Sequence, residues 1–332
     1  MKSFLAKNWF VIGIFAALAV GFAFPDAGIF LNTNSIFSTA LIVLLFLISG
    51  LKLPSESIRT GMSDVRVHLY IQVFIFIVNP LFFYVTSLPF RGALDGQLVI
   101  GIYALACLPT TISSCIIFTQ IAGGNVVATM FNAALANVAG ILVSPLLLSL
   151  MMQSTGKPLP VAELLAILQS LALKMLLPIA IGQILRKFAK ANVDKAKKRL
   201  SVLSNLFILM ILFFAFAKTA KNPDFLNNLR TMIVPFIYLA VSYLILLVGS
   251  FFGARALKLD RENVISVLFA APQKTLAMGV PLLSTFFAAN PEILGIALLP
   301  LIFYHPWQLF VAGFLPRLLP RLLPAPGPKP TE

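Results

Sequence analysis

The sequence predicts an all-α integral membrane protein of ten transmembrane helices arranged as a 5+5 inverted repeat. Three observations predict it. The 332-residue chain is 59% hydrophobic and 11% charged, where soluble domains are about a quarter charged. Apolar stretches long enough to cross about 30 Å of hydrocarbon recur along the chain with short breaks between them. The basic residues also alternate between those breaks as the positive-inside rule requires.

The spans read, in order, as Asn8–Phe24, Ser35–Leu51, Arg66–Ser87, Gln97–Gln120, Asn125–Met152, Glu163–Phe188, Ser201–Ala220, Thr231–Ala254, Asn263–Ala289 and Glu292–Leu315. With both termini cytoplasmic, eighteen Lys and Arg fall on the inner side, seven of them between Arg186 and Arg199, against five outside. The net charge of +14 is therefore explained by topology, and no nucleic-acid partner is expected. The protein is expected to be multi-pass in the cell membrane, with the lipid bilayer as its solvent. Lys2, Lys7 and the apolar run after them resemble a secretory signal, but GFAFPDAG offers no small-x-small cleavage site, so the first helix is expected to stay. After Leu315 the prolines of LPRLLPRLLPAPGPKPTE predict a helix end and a disordered cytoplasmic tail over 319–332.

Ten spans divide at the Lys157–Pro160 linker into repeats at 1–157 and 158–318, and an odd number of spans per half inverts the second half. Prolines echo across that division: Pro80 with Pro235, Pro109 with Pro272, and Pro145 with Pro300. Spans 4 and 9 stand out. In span 4, Pro109 is followed by Thr110, Thr111, Ser113 and Ser114. In span 9, Pro272 is followed by Gln273, Lys274 and Thr275. Proline removes a backbone donor, and in hydrocarbon the freed carbonyls need partners. Two broken helices at equivalent places predict a polar crossing near the midplane.

Other polar residues gather in the same bundle. Asn125, Thr129 and Asn132 share one face of span 5, and His305 and Gln308 lie in span 10. The polar residues concentrate in spans 3–5 and 8–10, whereas spans 1, 2, 6 and 7 are nearly plain apolar helix. A polar functional bundle beside a greasier scaffold is expected. Cys107 and Cys115 share one apolar span and predict neither a disulfide nor a metal site. No HExxH, GxSxG or intramembrane aspartate pair appears, so no enzyme and no cofactor is expected.

CLPTTISSCIIFTQIAGGNVVATMFNAALANVAGILVSPLLL, FAAPQKTLAMGVPLL and LPLIFYHPWQL resemble the bile acid:sodium symporter family (solute carrier family 10), most closely its member-7-like branch with its bacterial subgroup. The resemblance covers nearly the whole chain. It implies a core domain of spans 3–5 and 8–10, a panel domain of spans 1, 2, 6 and 7, and a crossing of spans 4 and 9 at their breaks. It also implies two cation sites built from hydroxyls and an asparagine after the span 4 break and a glutamate before the span 9 break. Ser114 matches one hydroxyl ligand and Thr129 lies near another, but Cys115 stands at the asparagine position and Phe269 at the glutamate position. All eleven carboxylates lie in loops, the tail or span ends.

Lys274 is the charge near the midplane of span 9, where a lysine costs roughly 2.5–3.5 kcal/mol. Three roles are open: a cation surrogate or proton carrier, a ligand for an anionic substrate, or a structural group. It is expected to lie within polar reach of the hydroxyls and amides of span 4 or span 5. The function expected from the resemblance is secondary active transport by alternating access, of an amphipathic organic anion and without sodium coupling. The alternative is a membrane regulator or scaffold of ion homeostasis.

Overall fold

The computed structural model describes residues 2–53, 64–90, 94, 96–153, 160–221 and 233–323. The linker at 154–159, and with it the predicted repeat boundary, lies outside them, as do 324–332 of the tail, Thr231, and five of the basic residues counted above: Arg59, Arg91, Lys157, Arg230 and Lys329. Among the described residues every regular element is helical. In chain order they are α1 Lys2–Ala23, α2 Pro25–Leu31, α3 Ile36–Lys52, α4 Val65–Ser87, α5 Gly96–Cys107, α6 Ser113–Ile121, α7 Val126–Gln153, α8 Val161–Thr219, α9 Ile233–Ala256, α10 Arg261–Ala270, α11 Leu276–Phe286 and α12 Leu294–Leu322. Six of the described helices are long and apolar enough to cross a membrane, or seven if the bent pair α1–α2 counts as one span.

Three features differ from the sequence reading, each for a local reason, and one agrees with it. The first apolar run does not end at Phe24. It bends by 99° and continues as α2, whose first residue, Pro25, has no N–H to lose at a helix start. Spans 4 and 9 are broken at the prolines, as expected: each is two helices, α5 with α6 and α10 with α11, separated by five non-helical residues at 108–112 and 271–275. Spans 6 and 7 form one helical run, α8, with non-helical dihedrals at Ala189 (φ −118°, ψ 16°). It nevertheless folds back on itself. Gln183 and Arg186 donate to Gly50, Leu53 and Leu51 carbonyls at one end of α3, Lys52 reaches Ser201 at that same end, and Lys218 reaches Ser35 at the other. Finally, α12 runs on through Pro316 and Pro320 to Leu322. The expected stop at Leu315, and disorder from 319, fail over that stretch because Leu315, Leu319 and Leu323 share one buried face while Pro320 faces outward. Packing outweighs the two missing donors.

Two packing groups emerge. α1, α2 and α3 lie chiefly against α8, and α12 packs on α5 and α9. The α3–α8 contact is set by small residues: a Cβ on Gly50 would meet the Ile179 carbonyl, and one on Gly182 the Leu47 carbonyl. Such close backbone approach is how membrane helices gain contact where no hydrophobic force separates lipid from side chain. At the other junction, Gly123 (φ 67°) makes the left-handed turn between α6 and α7, a conformation open to glycine without strain.

Candidate functional site: the crossing of the two interrupted helices

The two breaks meet. Thr275 N donates to Pro109 O at 3.0 Å, so each interruption satisfies part of the other. The carbonyls freed around Pro109 find individual partners. Leu105 O accepts from Leu108 N, Cys107 O from Ser144, and Thr110 O from Asn137. Thr111 O accepts from the Cys115 thiol. Around Pro272, Ala271 O accepts from Asn79 and Pro272 O from the Tyr304 hydroxyl. In a water-free interior this is the condition for keeping irregular backbone at all.

Ala106 O and Leu108 O remain, and the Lys274 ammonium takes both, at 2.8 Å each. Its third contact is Ile75 O at 3.5 Å. That carbonyl is free for a derivable reason. Pro80 has no N–H, and Asn79 N bonds Phe74 O in a π-helical turn over Phe74–Val78. The π-type donor for Ile75 O would be Pro80 itself. Lys274 is only 1% exposed. Its peptide group is held on both sides by one amide: Lys274 N donates to Gln308 Oε1 and Gln308 Nε2 donates to Lys274 O, both at 2.7 Å. His305 Nδ1 lies 3.0 Å from Gln308 Nε2. The crevice beside Lys274, Leu105 and Tyr304 has no room for a water molecule, about 0 Å³.

The expectation that the Lys274 ammonium meets side-chain hydroxyls and amides of span 4 or span 5 is therefore corrected. An ammonium has three donors and no acceptor, and here backbone carbonyls of α4 and α5 take them. The hydroxyls pair with Gln273 instead: Ser114 Oγ donates to Thr111 Oγ1 at 2.6 Å, and Thr111 Oγ1 donates to Gln273 Oε1 at 2.7 Å. Thr275 caps α11 by accepting from Ala277 N. Ser113 is exposed and joins neither set.

Asn125, Thr129 and Asn132 form a second group away from Lys274. Asn125 donates to Asn263, Thr129 bonds Thr119, and Asn132 meets His68 and accepts from Gln72. The two positions where cation ligands were expected hold other groups. Phe269 is fully buried and stacks on Phe118 (centroids 5.8 Å, 20°), and the Cys115 thiol donates to the Thr111 and Ile112 carbonyls. Among the described residues no group of three His, Cys, Asp or Glu could hold a metal. Three buried polar atoms near the breaks have no partner: Thr110 Oγ1, Gln273 Nε2 and Asn79 Oδ1.

Sequence reasoning missed the acceptors Ile75, Ala106 and Leu108. The signal lay in Pro80 and Pro109, which show where carbonyls lose their donors. What the sequence does not show is which side chain comes to them.

The class these features define is a multi-pass helical membrane protein with two interrupted helices joined at their breaks. Comparison with known proteins makes it specific: residues 8–321 match the SBF-like CPA transporter family, and the chain belongs to that family. It is 29% identical over 318 residues to "Sodium/bile acid cotransporter 7" of Mus musculus, covering 93% of this chain and 91% of that protein. It is also 29% identical over 322 residues to "Putative symporter YfeH" of Escherichia coli (strain K12), covering 96% and 94%.

Proposed function

We propose that the protein is a secondary active transporter of an amphipathic organic anion, working by alternating access without sodium coupling. In this reading it has ten spans in two inverted repeats (1–157 and 158–318), both termini are cytoplasmic, and the polar bundle moves as a core against a panel of α1, α2, α3 and α8. The organic-anion class draws on the bile acid in the name of the mouse relative. Unpartnered donors at Gln273 Nε2 and Thr110 Oγ1 suit an anion's oxygens.

The single observation that carries the sodium-independent part is the carbonyl cage around the Lys274 ammonium. Lys274 acts there as a tethered cation. A sodium ion entering within 4–6 Å would meet a repulsion of about 3–4 kcal/mol at an effective dielectric near 20, with Phe269 and Cys115 offering no charged oxygen in return. The saturated, closed surroundings of Lys274 support this role over direct substrate binding.

Proteoliposome uptake of radiolabelled cholate, with sodium replaced by choline, tests the reading. Equal uptake in both salts, and its loss in Lys274→Ala, are expected. Strong stimulation by an inward sodium gradient would overturn the sodium-independent reading. The same pinned crossing favours the second reading, a membrane regulator of ion homeostasis. That reading predicts no uptake by the wild-type protein and altered cellular ion content when it is deleted.

A further inference from the structure

We infer that a separate cavity, at the seam between α3 and α8 on one side and α11 and the start of α12 on the other, is a binding site for an oxyanion head group. Lys174 and Lys218 supply its positive charge. The cavity measures about 70 Å³ and is lined by both lysines, Ser35, Thr39, Ser284 and Thr285 among others. A water needs about 10–15 Å³ measured this way. The space therefore admits a carboxylate, sulfonate or phosphate head, but not the body of a large amphipath.

The two lysines arrive by different local devices. Lys174 lies in a π-helical turn, Ala172–Leu176, where Leu177 N bonds Ala172 O immediately before Pro178, which has no N–H. From the sequence alone, a lysine one turn before Pro178 and near a helix end reads as one that extends toward the membrane surface. It instead lines the cavity, half-buried, and among the described residues its ammonium has no hydrogen-bond or ion-pair partner. Lys218 comes from the returning leg of α8 and donates to Ser35 Oγ at 3.1 Å, leaving two of its protons for a ligand.

Ser35 is placed by a turn that is itself costly. Asn34 and Ser35 both have left-handed dihedrals (φ 54° and 59°), a conformation that costs non-glycine residues and persists where the surroundings enforce it. The enforcement is visible. Asn32, 3% exposed, accepts from Ser38 N at 2.9 Å and donates to Ser38 Oγ, which in turn donates to Ser35 O. From the facing helix, Ser284 contributes a hydroxyl whose buried oxygen has no partner. Among the described residues no carboxylate lines the cavity. Glu292 acts on Lys218 from nearby, and Asp26 is occupied by Lys221 at 2.8 Å. Two ammonium groups with free donors, hydroxyls around them and one neighbouring carboxylate leave a net positive site for a single oxyanion.

The inference rests on the organic-anion reading for its link to transport, but the test reads neither uptake nor sodium, so the two fail separately. Full-length protein in neutral detergent is acetylated with a lysine-reactive ester and analysed by mass spectrometry, with octanoate, octylammonium or octanol present at constant ionic strength. Octanoate is expected to slow acetylation of Lys174 and Lys218 at least fivefold, with no such protection from the other two compounds. Protection by none of them, or equal protection by all three, overturns the site. Octanoate affinity, read from thermal shifts, is expected to fall at least tenfold in Lys174→Gln/Lys218→Gln, and unchanged affinity also overturns it. Should that variant not fold, Ser284→Ala provides a milder loss, expected at two- to fivefold. Repeating the footprint in phosphatidylcholine and phosphatidylglycerol nanodiscs separates the sources of the head. Protection by phosphatidylglycerol alone assigns it to lipid, and protection that needs octanoate assigns it to a soluble anion.

Discussion

At the scale of residues, Lys274 shows how a fully buried ammonium is made tolerable by backbone carbonyls alone. Its ammonium replaces the donor that Pro80 denies to Ile75 and those that the interruption of the helix at Pro109 takes from Ala106 and Leu108, so the lysine and the prolines explain one another. Lys274→Met keeps much of the volume and removes the donors. Two closely bonded carbonyls then lack partners, at about 1–3 kcal/mol each, so a loss of about 2–6 kcal/mol is expected. A lower melting temperature in detergent, with faster amide exchange over 276–286, would show it. Unchanged stability would mean the carbonyls are satisfied some other way. Lys274→Arg is expected to be nearly as damaging, because the crevice has no room for a water molecule and a planar fork does not reproduce a compact ammonium. This part of the site was half legible in the sequence. The prolines, the lone charge and the amide of Gln308 could be read from residue types alone. The carbonyl acceptors could not, because every residue carries a carbonyl and only the tertiary approach selects which ones meet the lysine.

At the scale of elements, local chemistry decided some features and packing others. Hydropathy alone runs α5 into α6 and α10 into α11, and Pro109 and Pro272, each followed by polar residues, mark the two breaks. The sequence reading ended α12 too early, because the buried leucine face at Leu315, Leu319 and Leu323 is invisible to a count of prolines. The α3–α8 pair offers a direct test. Gly182→Leu would drive a side chain into the Leu47 carbonyl, which is backbone and cannot rotate away, so reduced yield and a lower melting temperature are expected. Substitution at Gly249, which has nothing within 4 Å of a built Cβ, should be neutral in the same assay. Topology can be read in the native background, because Cys107 and Cys115 are fully buried and should resist maleimide in the folded protein. An added cysteine at Ala191, exposed in the basic stretch of α8, is expected to react only from the cytoplasmic side. One at Ala288, exposed at the opposite end, should react only from outside. The reverse pattern would invert the proposed orientation.

At the scale of the whole molecule, the proposed motion must break contacts at the seam between α8 and the α11–α12 side, and one such contact is well defined. Gly295 N donates to Thr219 Oγ1 at 2.9 Å, and a Cβ built on Gly295 would lie 2.8 Å from Thr219 Cβ. Disulfide-bonded residues have Cβ atoms about 3.5–4.5 Å apart, so a small outward shift would allow a bridge in Thr219→Cys/Gly295→Cys. If the two packing groups slide past one another during transport, oxidation of this pair holds the molecule in the state described here. Uptake into proteoliposomes is then expected to fall at least tenfold on oxidation and to recover on reduction, while either single variant transports in both conditions. A rigid carrier with a fixed seam would behave differently: the bridge would form, gel mobility would confirm it, and uptake would be unchanged. That result would rule out relative movement at this contact. It would leave the Lys274 cage intact, because Lys274 and its acceptors Ile75, Ala106 and Leu108 all lie within the polar bundle.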